Sequence, residues 1–196
     1  MTVGIRLHHK RSVLGMTRLL VWLTILPLSQ ASTVKNYKLE DLVSHSSHII
    51  VGRCVSTNSS WNAKGTLILT YSRFTVDQSL KGNATSEITV VTVGGRVGDH
   101  TQAVSGMPHF SPGQEALLFL KPGRAGNHQV VGMIQGHFAI VKNSQTGERE
   151  AVRSLAGLNL MDSKGITHSK EVLPARLPLD ALVARIRALV THPSTP

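Results

Sequence analysis

The sequence predicts a small, mainly β domain, and three observations lead there. Helical periodicity is confined to two short stretches, at least five runs have the alternation or β-branched character of strands, and glycine, proline or other turn residues separate them. A barrel or a sandwich is the natural way for such a chain to bury both faces of its sheet.

The beginning of the chain is set apart from this pattern. Arg6, Lys10, Arg11 and Arg18 form a basic, acid-free stretch, the apolar run LLVWLTILPL spans residues 19 to 28, and Ser29-Gln30-Ala31 follows. That order is the signature of an export signal cleaved after Ala31. The apolar run falls short of the roughly 20 residues a membrane-spanning helix needs, so no transmembrane span is expected once the signal is gone. The plan is therefore 1–31 signal, 32–153 β-barrel domain, 154–177 irregular segment and 178–192 C-terminal helix, with a periplasmic or extracellular destination.

Of the 21 Lys and Arg residues, four lie in the signal, which holds none of the 11 acids, so the remainder carries a charge of +6. Its basic residues are scattered, as on a solvated surface, and leave room for an anionic polymer or ligand as partner. Cys54 is the single cysteine, which rules out a disulfide framework and makes the apolar core responsible for stability. It sits in the strand-like HIIVGRCV, where a small buried hydrophobe is expected, with no base nearby in sequence to activate a thiolate.

Taken in order, Leu39-Glu-Asp-Leu-Val43 predicts a short helix with its acids in the first turn. A strand follows from about His48 to Thr57, then a polar turn region from Asn58 to Gly65. Thr66 to Gln78 alternates as a second strand and pairs with the first as a long antiparallel ribbon, closed by Leu80-Lys-Gly82. Glu87 to Val93 is a third strand, apolar enough to be covered on both faces. Gly94-Gly95 ends it and opens a glycine-bearing loop to Pro112. Glu115 to Leu120, His128 to Ile134, His137 to Val141 and Glu150 to Arg153 are further strands, the last two joined by a turn over Asn143 to Gly147. Leu155 to Pro178 has no regular pattern. Pro178 starts a second, amphipathic helix with Leu179, Leu182, Val183, Ile186, Leu189 and Val190 on its apolar face.

The phrases HIIVGRCVSTNSSW, TLILTYSRFTVDQSLKG, ITVVTVGGRVG and SGMPHFSPGQEALLFL, then VVGMIQGHFAIV, resemble in order a group of uncharacterised exported bacterial proteins. The resemblance covers residues 39 to 141. It implies an OB-fold-like domain, a small closed or partly open antiparallel barrel, and brings no activity with it. Val51 to Val55 and Lys81-Gly82 are also similar to the netrin-like barrel of tissue inhibitors of metalloproteinases. Those inhibitors use an N-terminal cysteine, where the expected mature residue here is Ser32.

No Gly-x-Ser-x-Gly elbow, P-loop or His-Glu-x-x-His occurs, and the acids are too dispersed to suggest a carboxylate pair. The expectation is a non-enzymatic module without cofactor or resident metal. It engages another protein, an exported or envelope component such as a protease, through barrel loops bearing Gly94, Gly95, Arg96, Gly98, His100, Met107, His109 and Phe110. A second alternative is a metal-dependent enzyme using His100, His109 and His137, although no pair shows His-x-x-x-His or a Cys-His spacing. The same glycines could form an anion-binding nest, but tight turns explain them more simply. Trp61, Tyr71, Phe74 and Phe110 beside Arg53, Lys64, Arg73 and Arg96 would suit a nucleic-acid face, against which export argues; no nucleic acid is expected. Asn58-Ser-Ser60 and Asn83-Ala-Thr85 match a glycosylation sequon that has meaning only in a eukaryotic secretory pathway.

Overall fold

An open sheet edge leaves a row of backbone groups unpaired, and this chain pairs the edges of its central strands by closing them on themselves. The computed structural model describes residues 32–155, 158–162, 165–166 and 175–192; the expected signal, 1–31, and parts of the 154–177 segment lie outside the described residues. The described residues form one compact unit. In chain order its elements are β1 (Ser32–Lys35), α1 (Leu39–His45), β2 (His48–Trp61), β3 (Ile68–Lys81), β4 (Glu87–Val93), β5 (Gly95–Val97) and β6 (His100–Gln102). Then come β7 (Glu115–Pro122), β8 (His128–Val130), β9 (His137–Lys142), β10 (Arg149–Val152), β11 (Leu158–Asp162), β12 (Gly165–Ile166), β13 (Arg176–Pro178) and α2 (Leu179–Thr191).

Strands β2, β3 and β4 form an antiparallel meander. β8 then lies parallel to β4 at Val90 and His128, and β7 lies between β8 and β2. Around the ring the barrel strands thus run first, second, third, fifth, fourth and back to the first, the Greek-key closure of an OB-like barrel. β7 uses its other edge twice, pairing with β9 through Glu115 to Leu118 and with β8 through Leu120 to Pro122. From β9 the sheet continues through β10 to β13.

Alternation divides the apolar residues into two cores. Ile50, Cys54, Phe74, Ile88, Val90, Phe110, Ala116, Leu118, Leu120 and Val130 cluster together on the barrel's inner side. Ile49, Val51, Leu117, Phe119 and Phe138 point the other way and are covered by α1 and α2. α1 fits there because Leu39, Leu42 and Val43 share one face, and its ends are closed by polar groups. The Asp41 carboxylate accepts the Lys38 N–H at 3.0 Å, and the Lys81 ammonium donates to the Val43 carbonyl at 2.6 Å. α2 buries Leu179, Leu182, Val183 and Ile186 against the same core, so its predicted apolar face is used within the domain.

Several expectations are corrected. β2 does not turn at Asn58 but runs to Trp61, because a half-exposed ribbon tolerates polar residues on both faces; the turn is made by Asn62 to Leu67. The predicted loop after Gly94 contains the β5–β6 hairpin, turned by Gly98-Asp99. β8 stops at Val130 and a 3-10 turn over Met133–Gly136 replaces the rest of that predicted strand. It is β7, not β4, that is fully covered on both faces: Ala116 to Leu120 are all buried, whereas Val91 and Val93 on the outside of β4 are only half-buried. The segment read as irregular holds β11, β12 and β13: β11 pairs with β1 and β13 with β10, both distant in sequence and so without local signal, and β12 pairs with the adjacent β11.

Candidate functional site

The residues assigned to one binding loop fall into three places. Phe110 is buried in the barrel, edge-on to Phe74 with ring centroids 5.0 Å apart, and to His137 at 5.1 Å. Gly94, Gly95, Arg96, Gly98 and His100 belong to the β5–β6 hairpin, which lies against the far end of the β2–β3 ribbon. Met107 turns toward a cleft bordered by β4, β7 and β8, while His109 is exposed.

The hairpin is fastened to the ribbon by groups that leave little freedom. The Gln102 side-chain oxygen accepts the Ile68 N–H at 2.7 Å, and the Gly94 N–H reaches the Ile68 carbonyl at 2.8 Å. Thr70 Oγ1 donates to the Gly94 carbonyl at 2.6 Å and lies 2.8 Å from Ser59 Oγ. Only glycine fits at 95, where a Cβ would come within 2.3 Å of Thr70 Oγ1. The ribbon's own turn is held by Asn62, whose side-chain oxygen accepts the N–H groups of Thr66 at 2.8 Å and Leu67 at 3.2 Å. On this stiff mount Trp61 is 41% exposed and Leu67 39%, with His100 edge-on to the indole at 5.5 Å. Exposed Lys64 and Asp99 lie in the two turns beside them, and exposed Arg96 on β5.

The cleft has a volume of about 380 Å³. Val91, Val93 and Val130 give it an apolar floor, the thioethers of Met107 and Met133 line it, and Lys35 and Lys121 border it. Gln135, only 1% exposed, fixes one wall: its side-chain oxygen accepts the Tyr37 N–H and its amide donates to the Lys35 carbonyl, both at 2.9 Å. The same wall carries two successive left-handed residues, Gly132 at φ +65° and Met133 at φ +60°. Glycine at 132 also leaves room for the Tyr37 ring, 3.0 Å from where a Cβ would stand. Met133 has no such licence, and its backbone is held by the Ile134 N–H donating to the Gly106 carbonyl at 2.8 Å.

The three histidines named for a metal are not brought together. His137 is 8% exposed and packed on Phe110, and burial pushes its pKa down to about 4. His100 is on the hairpin and His109 on an exposed loop; among the described residues no group of three His, Cys, Asp or Glu side chains could hold an ion. His128 packs edge-on to His48 at 5.0 Å, and burial, with the neighbouring imidazole, lowers its pKa. Cys54 is fully buried and burial raises its pKa, the reverse of what activates a thiol. Of the four aromatics considered for nucleic acid, Phe74 and Phe110 are interior, so the set does not form one face.

Sequence reasoning missed Lys35, Tyr37, Lys121, Gln129 and Gln135, which converge on the cleft from four separate segments. A Gly-Met-Ile-Gln-Gly run at 132 to 136 was the one local sign of an unusual backbone there. No protein-family model matches this chain, and neither does any curated protein sequence.

Proposed function

We propose that this protein is a non-enzymatic binding module, working outside the cytoplasm, that engages another protein through the tip of its β2–β3 ribbon. The observation that carries the reading is the exposure of Trp61 on a mount stitched by hydrogen bonds from both the ribbon turn and the hairpin. A tryptophan held rigid at a surface loses little entropy on binding and desolvates a large area, which is why this residue type dominates protein interfaces. Leu67 and His100 extend the apolar patch, and Lys64, Arg96 and Asp99 give it a charged rim. The resemblance to exported bacterial proteins supports the compartment, and the netrin-like likeness supports a protein, with an extracytoplasmic protease among the candidates. The binding surface thereby shifts from residues 94 to 112 as a whole to the turn at 61 to 67 with the hairpin at 95 to 102.

The test is site-specific photocross-linking in the producing cell. A benzophenone side chain at position 67 is expected to give one discrete adduct, and the same group at exposed position 187 on α2 none. Trp61→Ala is expected to weaken association by about 2 kcal/mol, roughly thirtyfold, while leaving stability within about 0.5 kcal/mol of the parent. Equal adducts from both positions, or undiminished cross-linking in the Trp61→Ala protein, would falsify the reading.

A further inference from the structure

The cleft beside β4 has no part in that interface, and its chemistry is specific enough to name what it takes. We infer that it is a binding site for a small amphipathic anion, an oxyanion head on a short apolar body. Three independent features lead to this class. The volume of about 380 Å³ falls within the range of about 300–1,000 Å³ over which proteins hold small molecules. The floor is valine and the lining thioether, a surface that adapts to an alkyl or aryl body without fixing its shape. At the rim stand the Lys35 and Lys121 ammonium groups, with no acidic side chain among the described lining residues to neutralise them. Lys35 Nζ is 5.4 Å from the Tyr37 ring centroid, and Lys121 is beside Gln129 across the β7–β8 ladder, so a charge and an amide donor face the same opening.

The backbone supports the same conclusion. A non-glycine residue at φ +60° costs energy that the surroundings must offset, and such residues concentrate at binding sites. Here Met133 is held in that conformation at the place where its side chain enters the cleft, while buried Gln135 clamps the Tyr37 segment over it. The wall is therefore built before any ligand arrives, which lowers the entropic cost of binding. Lysines act as point charges rather than bidentate forks, so carboxylate and phosphate heads are both accommodated.

Octanoate and octyl phosphate are the probes, titrated into protein labelled with carbon-13 at its methionine methyls. The Met107 and Met133 methyl resonances are expected to move together and to saturate with a dissociation constant below about 1 mM for at least one probe. Octanol is expected to bind at least about tenfold more weakly, and so is the same anion to Lys121→Glu or Lys35→Glu, since each reversal removes an attraction and adds a repulsion. Both lysines are exposed, so an unchanged melting temperature checks that the variants fold. Octanol binding as tightly as the anions, charge reversals without effect, or no saturable shift with either probe overturns the proposal. So does binding to anionic phosphatidylglycerol vesicles without binding to either free probe, which marks a membrane-surface contact instead.

Discussion

Acidification from about pH 7 to pH 4 is expected to cost the fold about 3 kcal/mol through one side chain, and His137→Leu is expected to remove most of that loss. His137 lies at the start of β9, opposite Leu118, with Phe110 against its ring and only 8% exposure. Its Nε2 meets no hydrogen-bonding group of the described residues, so the imidazolium would be buried without a counter-charge. The folded pKa is about 4 and the unfolded value 6.5, so between them the unfolded chain binds the proton and the folded chain does not. Stability contributed by neutral His137 is complete above the unfolded pKa, falls as the pH drops through the window, and falls no further below the folded pKa. His128, also shifted downward, adds in the same sense, whereas Glu150, held down by Asn143 and Arg176, makes its loss at lower pH. Urea denaturation of both proteins at several pH values reads the difference. Parallel pH profiles for the parent and His137→Leu would place the acid sensitivity elsewhere.

Phe74→Ala is expected to destabilise the protein by about 3–5 kcal/mol, a large part of the 5–15 kcal/mol typical of a whole domain. Phe74 has no exposed surface and is among the largest side chains buried in the barrel. Its removal leaves a cavity lined by Phe110 and its neighbours, and Phe110 is the residue that ties the loop between β6 and β7 to the interior. The midpoint of chemical denaturation measures the loss. A shift worth less than about 1 kcal/mol is too small for a packed aromatic and would show that the barrel interior is not arranged around this pair.

The contrast between Phe74 and Trp61 shows what was legible in the sequence. Alternation in TLILTYSRFTVDQ placed β3 and its pairing with β2, and the i, i+3, i+4 spacing in Leu39 to Val43 and Leu179 to Val190 placed both helices. What alternation does not reveal is where a strand leaves the barrel. Asn58 to Ser60 look like turn residues because they are polar, yet cross-strand pairs such as Ser59 with Thr70 hold them extended. Gly98-Asp99 was a readable hairpin signal hidden among other glycines. The cleft was less accessible still, since Lys35, Val91, Met107, Lys121 and Met133 share a surface only after β8 has closed against β4. Local spacing carries information about elements, whereas a site built from their crossings depends on register.

The forked pairing of β7 has a thermodynamic corollary. Its residues alternate between the two cores, with Ala116, Leu118 and Leu120 on one side and Leu117 and Phe119 on the other, and β2 is divided in the same way by Ile50 and Ile49. Neither core can therefore be dismantled while the other keeps its full contacts, because both depend on the same two backbone segments. The helical layer and the barrel are thereby tied to the same segments, and melting is expected to proceed as a single all-or-none transition. Damage to either side is then expected to register in the whole molecule, as a shift in one midpoint rather than as the appearance of a second.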